Sequence, residues 1–143
     1  MGQRAKIASS RKMIVVDSSA WIDFFNGVVS KETSFLLMIL GEREIMVGDL
    51  ILSEVLQGFC TSASVKKARE LLLRFEFREM VGGPIAEAAA SNYRALRSKG
   101  LTVRSTIDTL IATFCIENDF TLLHSDRDYL HFEKHCGLKI VRV

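Results

Sequence analysis

From residue 13 onward, the spacing of apolar positions switches repeatedly between two periods. Met13-Ile14-Val15-Val16 is an unbroken apolar run of strand length, as expected for a strand covered on both faces. Ala20 to Phe25 then predicts a helix closed by Asn26-Gly27, and residues 31–40 a second helix, with Phe35, Leu36 and Ile39 at helical spacing and Gly41 as its stop. Glu44 to Gly48 predicts strand two, followed by a helix from Leu50 to Cys60 and a basic amphipathic helix from Ser64 to Phe75. Strand three is expected at Glu76 to Val81, before Gly82-Gly83-Pro84 opens a long helix to Lys99 with proline in its first turn. Ser105 to Asn118 predicts another helix, Phe120 to His124 a strand, the next stretch a turn or short helix, and Leu138 to Val143 the last strand. Strands alternating with helices imply crossover connections and a sheet covered on both sides. The expected fold is a three-layer α/β/α domain with a mostly parallel sheet of four or five strands.

Composition narrows this reading only slightly. The chain has 143 residues, enough for one domain, with 48% apolar and 25% charged residues, an ordinary globular balance. The formal charge of +2 is unevenly spread. Residues 1–12 hold Arg4, Lys6, Arg11 and Lys12 and no acid, which leaves 15 basic and 17 acidic groups, a net −2, for residues 13–143. Residues 1–12 are expected to be a flexible basic extension, and 13–143 the folded domain. Three cysteines, Cys60, Cys115 and Cys136, show no C-x-x-C spacing, which argues against a disulfide scaffold and for a reducing compartment. No apolar run precedes Met13 as a signal peptide would require, and no stretch has the ~18 apolar residues that span a bilayer. A cytoplasmic location is the expectation.

Parallel sheets collect ligands beyond the carboxyl ends of their strands, and this singles out certain acids. Asp17 directly follows the first strand, and Asp126 follows Leu122-Leu123-His124 by one serine, so both fall at one sheet edge. Glu54 lies among Ile51, Val55 and Gly58, while Asp108 opens an apolar helix above Ala112 and Cys115. Each acid also has a purely structural reading. Asp17 is placed to cap the helix after it, Ser105 to Asp108 fits a capping box, Glu54 fits a helix surface and Asp126 a turn. Four converging carboxylates would repel one another unless cations neutralised them, and Mg²⁺ or Mn²⁺ suits an all-oxygen donor set.

These segments carry a resemblance. Ile14-Val15-Val16-Asp17-Ser18-Ser19, Ser53-Glu54-Val55-Leu56-Gln57-Gly58, Thr106-Ile107-Asp108-Thr109-Leu110-Ile111-Ala112 and Leu122-Leu123-His124-Ser125-Asp126-Arg127-Asp128-Tyr129 resemble the four acidic motifs of PIN domains, in order. The stretch Arg97 to Ala112 resembles the VapC-type toxins of prokaryotic toxin–antitoxin pairs. The resemblance implies a divalent-metal-dependent endoribonuclease in which Asp17, Glu54, Asp108 and Asp126 hold Mg²⁺ or Mn²⁺, with Asp128 as an alternate or supporting acid. It also implies an RNA substrate, a cognate VapB-like antitoxin whose C-terminal segment blocks the pocket, and pairing into a homodimer. Trp21, Phe24, Phe25 and Phe35 are the residues expected to be partly exposed in a monomer.

Other groups carry less weight. Ser19 and Thr109 either orient a carboxylate or simply mark helix ends. His131, His135 and Cys136 suggest zinc, but no fourth ligand has suitable spacing. Arg97, Lys99 and Arg104 are the expected phosphate contacts, ahead of Lys66, Lys67, Arg69 and Arg74. A haloacid-dehalogenase-like phosphohydrolase would need an acid where Ser19 stands, and a nucleotide-binding reading lacks the glycine-rich loop. An RNA-processing nuclease without a toxin role and a catalytically silent RNA- or protein-binding module remain as alternatives.

Overall fold

The computed structural model describes residues 13–143, so the expectation for residues 1–12 lies outside the described part. Five short strands form one sheet: β1 (Ile14–Val16), β2 (Ile45–Gly48), β3 (Glu76–Arg78), β4 (Thr121–Leu123) and β5 (Lys139–Ile140). Their order is β3-β2-β1-β4-β5, and every pairing is parallel, with Ile14 beside Ile45 and Val16 beside Leu123. β1 and β2 are buried throughout, which matches their uninterrupted apolar sequence. The chain winds outward from β1 in one direction through β2 and β3, and in the other through β4 and β5. The carboxyl ends of β1 and β4 therefore flank the point where strand order reverses.

Seven helices accompany the strands among the described residues: α1 (Ser18–Phe25), α2 (Lys31–Ile39), α3 (Asp49–Gln57), α4 (Ser62–Leu72), α5 (Gly83–Ser98), α6 (Thr106–Asn118) and α7 (Tyr129–Cys136). α1 to α4 pack as one group and α5 to α7 as another, giving the two helical layers expected around the sheet. α6 is the most enclosed, burying Thr109, Ile111, Ala112, Thr113, Phe114 and Cys115. Its buried Thr113 hydroxyl accepts from Asn92 Nδ2 of α5 at 3.0 Å, so that polar group is satisfied. No helix among the described residues is long and apolar enough to cross a membrane.

Several expectations need correction. Strand three ends at Arg78 rather than Val81, and all three of its residues are exposed, because it is a sheet edge. Met80 cannot extend it, since its N–H donates to Asp49 Oδ1 at 3.0 Å and its side chain is buried against Gly48. β5 has two residues instead of six, its neighbour β4 offering only three. α3 stops at Gln57 with Gly58 as its cap, and α4 spans Ser62–Leu72, capped by the Thr61 hydroxyl. The stretch after β4 is a true helix. Trp21, expected to be partly exposed in a monomer, is fully buried, ringed by Phe24, Phe25 and Phe75. Its indole N–H has no partner among the described residues. Phe24, Phe25 and Phe35 are half-buried.

Candidate active site

Asp17 sits where β1 becomes α1, and its exposure is only 2%. It is the N-cap of α1, so the structural reading of this residue holds: Oδ2 accepts the Ser19 N–H at 3.0 Å and the Ser19 hydroxyl at 2.6 Å. Its other oxygen faces inward. Oδ1 accepts the Tyr129 hydroxyl at 2.7 Å, and the same hydroxyl lies 3.3 Å from Asp108 Oδ1. Ser18 turns the other way and donates to Glu54 Oε1 at 2.9 Å, tying α1 to α3. Ser19 Oγ in turn accepts the Ser125 N–H at 3.0 Å, which fixes the loop beyond β4 against the end of β1.

Asp108 meets its expected cap only halfway. Its N–H donates to Ser105 Oγ at 3.3 Å, but its carboxylate turns towards Tyr129 instead of closing a capping box. Asp126 accepts the Asp128 N–H at 3.0 Å, shaping the turn ahead of α7. Carboxylate oxygens of Asp108, Asp126 and Asp128 all lie within 4.8 Å of one another. Arg104 reaches the rim, its Nε 3.5 Å from Asp128 Oδ2 with the side chain 82% exposed.

Electrostatics confirm that the acids feel one another. Burial first, then the charges of Asp17, Asp126 and Glu54, push the Asp108 carboxyl up to about 7, against a smaller opposing effect of the Tyr129 hydroxyl. Glu54 is raised mainly by burial and also by Asp17, while the Ser18 hydrogen bond pulls it down. Burial holds the His124 imidazole below its ordinary range despite the surrounding acids. Its Nδ1 accepts the Asp126 N–H at 3.1 Å, a role for a neutral ring.

Residues 14–135 match the PIN domain family. Over 119 residues the chain is 30% identical to ribonuclease VapC11 of Mycobacterium tuberculosis, covering 82% of this chain and 89% of that one. The chain belongs to the PIN-domain family, among the VapC ribonucleases. The fold agrees. VapBC2 of Rickettsia felis, solved bound to a promoter DNA fragment, superposes with a TM-score of 0.71 at 16% identity, over 90% of this chain and 97% of that one. VapC20 of Mycobacterium tuberculosis, a sarcin–ricin loop cleaving toxin, gives 0.65 at 15% identity, over 91% and 99%.

In this PIN domain Asp108, Asp126 and Asp128 cluster directly, Asp17 is joined to Asp108 through the Tyr129 hydroxyl, and Glu54, held by Ser18, is coupled to Asp17 and Asp108 by charge alone. The predicted phosphate contacts disperse. Arg104 is at the cluster, Arg97 lies over the Tyr93 ring at 5.7 Å, and Lys99 stands near His135 and Cys136. These two lie at the end of α7 remote from Tyr129. His131, His135 and Cys136 form no metal-holding group among the described residues. Tyr129 is the site residue that the sequence pattern does not single out. A signal existed in its i, i+3 spacing with Phe132, which turns both rings inward on α7. The donor set fits a hard divalent cation: the clustered groups of Asp108, Asp126 and Asp128 are carboxylate oxygens, and Asp108 has no cationic side chain bonded to it among the described residues.

Proposed function

We propose that this PIN domain is a divalent-metal-dependent endoribonuclease acting as the toxin of a toxin–antitoxin pair. One observation carries the reading: at the sheet's reversal point carboxylate oxygens of Asp108, Asp126 and Asp128 lie within 4.8 Å of one another, and burial together with the charges of Asp17, Asp126 and Glu54 raises the Asp108 carboxyl to about 7. An arrangement so costly in repulsion makes sense when cations complete it. Asp17, Glu54, Asp108 and Asp126 would hold Mg²⁺ or Mn²⁺, with Asp128 in support. A bound divalent cation supplies the acidity that activates water and the charge that stabilises the leaving oxygen of a phosphodiester.

The chain's own residues then have defined tasks. Ser18 orients Glu54, and Ser19 orients Asp17 while pinning the loop that carries Asp126. His124, neutral and accepting a backbone N–H, is a scaffold for that loop rather than a base. Arg104, paired with Asp128 and largely exposed, is the natural first contact for an RNA phosphate, with Arg97 and Lys99 as more distant candidates. Structured RNA, such as a tRNA or an rRNA loop, suits so few basic groups, because shape supplements phosphate contacts. The likeness to a sarcin–ricin loop cleaving toxin supports that substrate class.

A cognate VapB-like antitoxin is the expected partner, since the structural neighbours include toxin–antitoxin pairs. The site is also expected to work in a cytoplasmic homodimer. Expression of the full chain in a bacterial host tests the toxin role. Growth should arrest, and Asp108→Asn should abolish the arrest at equal protein level. Normal growth with soluble wild-type protein present would contradict the toxin role.

A further inference from the structure

The Tyr129 hydroxyl is fully buried between two carboxylates, yet it has a single hydrogen to give. Distance decides where that hydrogen goes. Asp17 Oδ1 lies at 2.7 Å, within the range of a charge-assisted hydrogen bond, whereas 3.3 Å to Asp108 Oδ1 is long for an O–H donor. Asp17 thus accepts three hydrogens, two on Oδ2 from Ser19 and one on Oδ1 from Tyr129. A carboxylate offers about four acceptor positions, so one remains, on the inward oxygen. Asp108 is in the opposite condition. Among the described residues its carboxylate has only the long contact to Tyr129.

We propose that Tyr129 is a positioning residue of the acidic site: its hydroxyl locks Asp17 in one orientation and spaces it from Asp108, leaving Asp108 as the carboxylate a divalent cation must satisfy. The role deepens the metal-dependent reading above and rests on it. The ring of Tyr129 has separate duties, touching His124 and Phe132 with centroids 5.1 and 6.4 Å away. Phenylalanine would keep those contacts and lose only the hydroxyl, so positioning and packing can be separated.

The test is calorimetric titration of Mn²⁺ into metal-free full-length wild type, Tyr129→Phe and Phe132→Leu, beside their thermal melts. Loss of an outer partner of a metal-binding side chain typically weakens metal affinity about 10–100-fold, and Tyr129→Phe is expected in that range. Its kcat on RNA should fall with KM for RNA unchanged. Phe132→Leu should melt earlier yet bind Mn²⁺ like wild type. If Tyr129→Phe binds Mn²⁺ with wild-type affinity, the positioning role is overturned, whatever its melting temperature, and the metal-dependent reading stands. Wild type that takes up no Mn²⁺ overturns that reading and the positioning role together. Should Tyr129→Phe not fold, Ser19→Ala removes the hydroxyl donor from the other oxygen of Asp17 and is expected to weaken Mn²⁺ in the same way. Unchanged affinity there overturns the locked orientation.

Discussion

Burial first, and then the neighbouring acids, raise the Asp108 carboxyl, and this makes metal-free stability depend on pH. Its folded carboxyl keeps its proton up to about 7, against an ordinary 3.8. Between those values the folded state binds more protons than the unfolded chain, so the stability it confers is full below about 4 and lost as pH rises through about 7. In EDTA, wild type should therefore melt at a lower temperature at pH 8 than at pH 5.5. Asp108→Asn should narrow that difference and melt higher than wild type at pH 8, as measured by circular dichroism. An unchanged pH dependence would remove Asp108 as its source. Asp17 was legible as a candidate because an acid directly beyond a buried apolar strand has few places to go. Tyr129 was not, because a tyrosine after Ser125-Asp126-Arg127-Asp128 looks like the end of a charged turn. Only the inward rotation of α7, an eight-residue helix shorter than isolated helices tolerate, gives it a role.

The elements hold these side chains by close packing at a few points. Gly48 ends β2 with ordinary extended torsions, but a Cβ there would sit 2.0 Å from Met80 Sδ, and Met80 is completely buried. Gly48→Ala should therefore cost about 1–3 kcal/mol through overpacking. Combined with Met80→Ala, the destabilisation in denaturant melts should be less than the sum of the two, since the clash is then gone. Trp21 packs α1 against Phe75 beside α4, and Trp21→Ala should cost about 3–5 kcal/mol. Helix positions were readable from their period, and the start of α6 from Ser105, which caps as its residue type favours, whereas α4 begins earlier than its apolar pattern does, at the Thr61 cap. Strand ends were not. Phe77, Met80 and Val81 look like strand in sequence, but the Asp49 carboxylate captures the Met80 N–H, a tertiary choice that local pattern does not carry.

At the scale of the whole molecule, an acidic pocket in a domain of net −2 over residues 13–143 must hold RNA through local cations. The pairing of Arg104 with Asp128 gives that rim a place to start. Arg97→Ala with Arg104→Ala should weaken RNA binding and flatten its salt dependence, by about one log–log unit for each phosphate no longer held. An unchanged slope would move the RNA path elsewhere, to Lys66, Lys67 and Arg69 first. The proposed homodimer has exposed apolar side chains beyond the half-buried Phe24, Phe25 and Phe35: Val29, 91% exposed, with Leu37 and Met38 on α2, whereas Trp21 is internal. Light scattering at micromolar concentration should give twice the chain mass. RNA cleavage by the carboxylates at the reversal point of the sheet, acting with a divalent cation, is the activity proposed for this domain. Its most direct test is cleavage of a purified structured RNA by wild type, Asp17→Asn and Asp126→Asn, first in EDTA and then with Mn²⁺ restored in excess. Cleavage by wild type alone, absent in EDTA and recovered with Mn²⁺, is the predicted result; undiminished cleavage in EDTA, or by either variant, would contradict it.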